Sequence, residues 1–305
     1  MSLDADILID RRRLKRRLSL WRGLAVVLAV AALWLAFGRD AATGLPGREQ
    51  VARLPVRGFI GEDRKLLEAL DALGRNRRVR ALIVAIDSPG GSVGGGEALH
   101  AALTRLRAQG KPVVAVMAGT AASAGYMVAL PAERIFAREA TVTGSIGVLL
   151  QTFEGSELLA RLGVQPQTIA SGPLKDQPSL FRPLTEEGRA ALAAVVADMH
   201  SQFVGMVAAG RRMEEARVRS LADGRVFTGR QALALGLVDA IGGEREARAW
   251  LAAQHNVAEN LPVRDVETRS RAERLFDSLF QGLAKSVVSE WLGVDGFRLI
   301  WQPGG

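Results

Sequence analysis

Along the chain the spacing of apolar positions changes several times, and each change predicts an element. The first run is the densest: Gly23–Gly38 (GLAVVLAVAALWLAFG) carries no charge over sixteen residues. At 1.5 Å per residue it is short for a bilayer core of roughly 30 Å. Extension back to Leu18 gives 21 residues, with Arg22 able to snorkel and Trp21 and Trp34 suited to interfacial depth. Three readings fit: a retained transmembrane anchor, a signal peptide cleaved near the small residues of Ala36-Phe37-Gly38, or a buried core helix. Six basic residues within Arg11–Arg17 make a poor prelude to the last. In either of the first two the basic flank, residues 1–22, stays inside, and the body faces the periplasm or cell exterior.

A Gly/Pro-containing linker is expected over Arg39–Gln50, then a strand over Val51–Ile60. Leu66, Leu67, Leu70 and Leu73 recur at helical spacing and predict a helix over Asp63–Leu73. Ala81–Ile86 (ALIVAI) is wholly apolar, the pattern of a strand buried on both faces. A Gly-rich turn is expected over Ser88–Gly96 and a helix over Glu97–Gln109, ended by Gly110 and Pro112. Val113–Met117 reads as a second buried strand, Gly119–Gly125 as a small-residue turn with a helix starting near Ser123, and Arg134–Ala137 as a third strand. Helices follow over Thr185–Gly210, Glu214–Leu221 and Gly229–Leu235. This β-turn-α repetition predicts an α/β fold with a parallel sheet and right-handed crossovers. Ligands of such sheets sit at the carboxyl ends of strands, where both Gly-rich segments fall.

Composition narrows the chemistry. The chain has 40 Lys+Arg and 32 Asp+Glu, a formal net charge of +8. Half of that excess lies in residues 1–22, so the body is nearly balanced and offers no electrostatic nucleic-acid surface. The absence of cysteine excludes disulfides, thiolate metal sites and a Cys nucleophile. Three scattered histidines, His100, His200 and His255, leave little room for a metal cluster. Ser88–Gly96 contains neither G-x-G-x-x-G nor the Lys-Ser/Thr ending of a P-loop, which argues against a nucleotide site. A double-Gly segment can instead aim backbone N–H groups at a developing oxyanion.

Serine is then the leading nucleophile type. Ser123, in Thr-Ala-Ala-Ser-Ala-Gly-Tyr, has small neighbours and follows a buried strand. It is either a nucleophile or a helix N-cap, the commonest use of Ser at such a place. No G-x-S-x-G elbow is present, because Ala121 holds the first Gly position. None of the histidines has the context of a triad: His100 reads as a partly buried structural residue, His200 lies inside the long helix, and His255 lies in a polar region. A lysine base remains, and lysine is scarce: Lys15, Lys65, Lys111, Lys175 and Lys285. Lys175 lies in the turn-rich Ser171-Gly-Pro-Leu-Lys-Asp. It is either a solvated loop residue or a base whose charged form is disfavoured by lost hydration. Arg cannot substitute, since it stays protonated. Adjacent Asp176 has to point away for Lys175 to act as a base.

Five stretches together carry a family likeness: Asp87-Ser-Pro-Gly-Gly91, Gly119–Tyr126, Thr143-Gly-Ser-Ile-Gly-Val148, Ser171–Asp176 and Asp223-Gly-Arg-Val-Phe-Thr-Gly-Arg-Gln-Ala232. In this order they resemble the signal peptide peptidase A family, peptidase family S49, serine proteases with a Ser/Lys dyad and a ClpP/crotonase-like fold. The length resembles the short, single-repeat members. The resemblance implies a protease domain over 51–255, with Ser123 as nucleophile and Lys175 as general base. It implies that Ser145 orients the Lys amine, and that the N–H groups of Gly91 and Ala124 form the oxyanion hole. Many members have Gly at the position of Ala124 and a second aromatic at that of Met127.

Also implied are acyl transfer without metal or cofactor, remnant signal peptides or other membrane-associated peptides as substrates, and a dome- or ring-like homo-oligomer, an octamer among the forms. In it Lys175 reaches a neighbour's Ser123. The location implied is a bacterial inner membrane, single-pass, with the N-terminus cytoplasmic and the catalytic body extracytoplasmic. In 256–305, Arg271–Leu292 has Leu275, Phe276, Leu279, Phe280, Leu283, Val287, Val288 and Trp291 at the spacing of an amphipathic helix. Such a helix packs on the body or a neighbour, or lies on the membrane surface. Two other function classes compete. One is a non-catalytic, membrane-anchored oligomeric scaffold of the same fold. The other is a crotonase-type acyl-CoA enzyme, which an external location disfavours.

Overall fold

A computed structural model describes residues 21–24, 26–28 and 49–266. Two units are distinguished, 1–48 with 268–305, and 49–267. In the first, residues 21–24 and 26–28 are helical. The rest of the apolar segment 23–38 and the helix expected over Arg271–Leu292 lie outside the described residues.

The second unit is built around the apolar run Ala81–Ile86, which lies within β2 (Val79–Gly91). β2 runs parallel to β1 (Gln50–Ile60) on one side and β3 (Val113–Ala122) on the other. Its successive side chains enter different cores. Leu82, Val84 and Ile86 join one cluster with Leu103, Tyr126 and Phe203, while Ala81 and Ile83 join another with Val114, Phe136 and Leu251. Burial on both faces is why the run shows no polar alternation.

The helices covering the first face are α1 (Arg64–Arg75), α2 (Val93–Ala108), α3 (Ala124–Ala129) and the C-terminal half of a long helix. The strands β4 (Arg134–Ala137) and β5 (Val142–Gly144) share β3: Val114–Met117 pairs with β4 and Thr120–Ala122 with β5, both parallel. Then come α4 (Ser156–Arg161), the long α5 (Glu186–Arg211) and α6 (Glu215–Leu221). They are followed by β6 (Val226–Thr228), α7 (Gly229–Leu235), β7 (Ala240–Ile241), α8 (Glu244–His255) and β8 (Val263–Asp265). The sheet order is β6-β5-β3-β2-β1-β8, with β7 joined through β4. Among the described residues only β5–β6 is antiparallel, so the sheet is mixed but mostly parallel.

The two Gly-rich segments depart from the expected turns. β2 continues through Ser88-Pro-Gly-Gly91 because Phe59 and Ile60 pair with Gly90 and Gly91. A Cβ on Gly91 would overlap the Ile60 carbonyl, so only glycine permits that approach. α2 then begins at Val93, four residues earlier than expected, capped by the Ser92 hydroxyl accepting the Gly95 N–H (3.1 Å). β3 likewise extends to Ala122, and α3 follows with only Ser123 between. The long helix matches its expected range closely: Thr185 caps it (Gly188 N–H to Oγ1, 3.0 Å), and Glu186 and Glu187 suit its positive end. Among the described residues α5 alone is long and apolar enough to cross a membrane, by length and composition.

The end of α5 is fastened to the sheet by one ion pair. Arg211 makes two bonds to Asp239 (2.6 and 3.0 Å), and Asp239 Oδ2 also accepts the Ile135 N–H (2.7 Å). Burial pushes the Asp239 carboxyl up, but the bonds from Arg211 outweigh it and hold the group below the ordinary carboxylate range. Its stabilisation is fully present above about pH 4 and fades as pH falls through the depressed value. Asp239→Ala is expected to lower stability at pH 7 by about 2–3 kcal/mol, since it leaves a buried guanidinium unpaired. Urea unfolding checks this, and the difference from the parent protein should shrink toward low pH. Equal midpoints at pH 7 would show that the pair contributes nothing.

Candidate active site

Ser123 stands where β3 passes directly into α3. Its N–H donates to the Gly144 carbonyl (2.9 Å) and its own carbonyl accepts the Met127 N–H (3.0 Å), so its backbone starts the helix. Its hydroxyl makes no capping bond. The sequence left Ser123 open as a cap or a nucleophile; the side chain is not spent on the cap. The backbone is also strained, at φ 52° and ψ −121°. A non-glycine residue held there costs about 1–3 kcal/mol, a strain that clusters at functional sites.

Four non-glycine residues among those described have positive φ: Ser123, Ser145, Arg212 and Asn256. Arg212 and Asn256 are left-handed C-caps of α5 and α8, an ordinary way to end a helix. The other two are serines, and both line one cavity of about 670 Å³. Gly91 and Val93 line it from the β2–α2 junction, and Gly147, Val148 and Leu149 from the segment after Ser145. Gly90, at φ 131°, lies close to Ser123: a Cβ there would come to 3.0 Å from the Ser123 Cβ.

The remaining wall was not anticipated. Ala193, Val196, Ala197 and His200 form one face of α5 along the cavity, and Ala222, Asp223 and Gly224 complete it. His200, read from the sequence as internal to a helix, lies 2.8 Å from the Ala222 carbonyl through Nε2. Its i, i+3, i+4, i+7 spacing with small residues was the available signal; nothing local said which surface that face would meet.

The structure thus brings Ser123, Ser145 and Gly91 together. Ala124, the first residue of α3, is buried and is not part of the cavity lining, and as the first helical residue its N–H has no intrahelical acceptor. Met127 is buried against α2, where a Cβ on Gly96 would meet its sulfur at 3.1 Å. Lys175 lies outside the cavity lining, on an exposed turn where its N–H donates to the Gly172 carbonyl (3.2 Å). Asp176 forms an ion pair with Arg182 at 2.7 Å. Among the described residues no group of three or more His, Asp or Glu side chains converges as a metal site would require.

Known proteins are similar to this chain over the region just described. A family model described as Peptidase family S49 matches residues 105–258, and one described as Clp protease matches residues 62–143, the first βα units. A Synechocystis protein provisionally named as a protease is 42% identical over 207 residues, covering 67% of this chain and 74% of its own. An Enterococcus faecium protein provisionally named signal peptide peptidase SppA is 35% identical over 212 residues, covering 65% of this chain and 62% of its own. The chloroplastic serine protease SPPA of Arabidopsis thaliana is 31% identical over 263 residues, 82% of this chain and 38% of that one. The chain therefore spans about three-quarters of the first of these and less than two-thirds of the others. Among solved structures, a ClpP1 variant from Listeria monocytogenes is similar at 18% identity with a TM-score of 0.44, over 64% of this chain and 92% of that one.

Proposed function

Since this chain belongs to peptidase family S49, the SppA-like serine proteases with a ClpP-like fold, we propose that it is a membrane-anchored endopeptidase that acts through Ser123 and Lys175. The observation that carries the proposal is Ser123 itself: a strained serine whose hydroxyl is left free of the helix cap and faces a cavity beside a second strained serine. In the reaction, the Lys175 amine takes the Ser123 proton and the alkoxide attacks a peptide carbonyl. The N–H groups of Gly91 and Ala124 stabilise the tetrahedral oxyanion. The lysine then protonates the leaving amine, and water hydrolyses the acyl-enzyme. Ser145 orients the amine. Remnant signal peptides and other membrane-associated peptides are the proposed substrates.

The exposed position of Lys175 favours a dyad completed between protomers. Leu149, Phe153, Leu158 and Ile169 are also exposed, at 63% or more, in the segment that carries it. A run of uncovered apolar side chains of this kind suits burial against a second copy. The N-terminal half of α5 supports the same reading, because Ala193, Ala194 and Val195 are exposed on an otherwise apolar helix. On this proposal the protomers form a ring- or dome-like homo-oligomer. The basic flank 1–22 and the apolar 23–38 support an inner-membrane anchor with an extracytoplasmic body.

A fluorophosphonate probe tests the nucleophile. It should label the full-length assembled protein at Ser123 and leave Ser123→Ala unlabelled. An assembled parent protein that resists labelling would instead favour a scaffold that has kept the fold without the chemistry.

A further inference from the structure

The segment Ala222–Thr228 opens the Asp223–Ala232 motif, to which the reaction above gives no task. It is bonded to the backbone on both sides of Ser145. The Ser145 N–H donates to the Arg225 carbonyl (2.8 Å), and the Gly224 N–H donates to the Ile146 carbonyl (3.2 Å). The antiparallel β5–β6 pairing continues the contact, with Thr143 opposite Phe227 and Gly144 opposite Val226. Gly144 in turn accepts the Ser123 N–H. A path of backbone hydrogen bonds therefore runs from the Asp223–Arg225 turn, through Gly144 and Ser145, to the nucleophile.

Little in this path can shift independently. Gly144, at φ 82°, lies so close to the buried Phe227 that a Cβ would meet its ring at 2.6 Å. On the far side, the bond from His200 to the Ala222 carbonyl ties the segment to α5. The turn itself is shaped by Asp223. Its Oδ1 accepts the Arg225 N–H (3.1 Å), and both carboxylate oxygens lie 2.8 Å from the Arg225 Nε. Gly224 takes φ 88° between them.

We propose that Asp223 is a positioning residue for the two serines. Its carboxylate closes the turn that sets the Arg225 carbonyl where it accepts the Ser145 N–H, and so maintains the strained backbone that presents Ser145, and through Gly144 Ser123, to the cavity. This rests on Ser123 being the nucleophile. Because Asp223 also lines the cavity, its charge could be what matters instead, and asparagine separates the two. Asn keeps an Oδ1 acceptor for the Arg225 N–H while removing the charge.

The experiment compares parent, Asp223→Ala, Asp223→Asn and Gly224→Ala full-length proteins for peptide hydrolysis and for the rate of fluorophosphonate labelling at Ser123. Asp223→Ala is expected to lower kcat about ten- to hundredfold with KM within about twofold, the signature of misplaced reacting groups. Labelling should slow in parallel, and Asp223→Asn should recover most of both. Gly224→Ala strains the turn without a clash, since its Cβ would meet nothing within 4 Å, and should move the same way. Parent-like kcat in Asp223→Ala overturns the inference, as does an Asp223→Asn protein as slow as Asp223→Ala. A parent protein unlabelled at Ser123 overturns the nucleophile assignment itself, whatever the variants do.

Discussion

Ser123→Ala protein is expected to hydrolyse peptide roughly 10⁵- to 10⁶-fold more slowly than the parent while melting at the same temperature. Both halves follow from the geometry of the hydroxyl. It faces the cavity, so its removal takes away the attacking atom. It caps nothing, so α3 loses no bond. A serine serving as an N-cap would give the opposite pattern, a loss of about 1 kcal/mol of stability with hydrolysis little changed. A fluorogenic peptide assay beside a thermal melt separates these outcomes. Hydrolysis within about tenfold of the parent would remove Ser123 from the reaction.

Lys175→Ala is expected to be inactive too, by at least about 10³-fold, and its larger interest lies in mixture with Ser123→Ala. Head-to-tail contacts in a closed ring pair each protomer's serine with one neighbour's lysine. Random exchange of equal amounts then reunites an intact serine with an intact lysine in about one quarter of the sites, so about a quarter of parent activity should return. A dyad contained within one chain returns none. The exposure of Lys175, outside the lining of its own Ser123 cavity, is what makes recovery the expected result.

How far the sequence reached depended on whether the deciding contact was local. The run Ala81–Ile86 announced a two-faced strand because burial alone sets its composition. The helices expected over 63–73, 185–210 and 229–235 were legible because their signals are local, and Asp63, Thr185 and Thr228 cap them within three residues. Gly90 and Gly91 misled, because glycines suggest a turn whereas Phe59 and Ile60, about thirty residues earlier, draw them into the sheet. Ser123 was legible as a candidate from its small neighbours. Its strained φ was not, since that depends on the Gly144 carbonyl that holds its N–H. The α5 wall and the contacts of the Asp223 turn, though not the motif itself, escaped for the same reason: neither knows locally which surface it will face. Lys175 was picked by scarcity and by family likeness, and no spacing rule joins it to Ser123.

The pairing of β1 with β8 fixes where the two ends of the described body lie. Val51 lies opposite Val263 and Arg53 opposite Asp265, both strands running the same way, and the Val266 N–H returns to the Arg53 carbonyl. The body's two ends therefore emerge at one corner of the sheet, like the two ends of a loop of cord. Gly91, on the lip of the cavity, lies opposite Ile60 at the other end of β1, nine residues along, a span of roughly 30 Å. The Gly91 edge of the cavity and the corner where residues 49 and 266 meet are thus held a full strand's length apart.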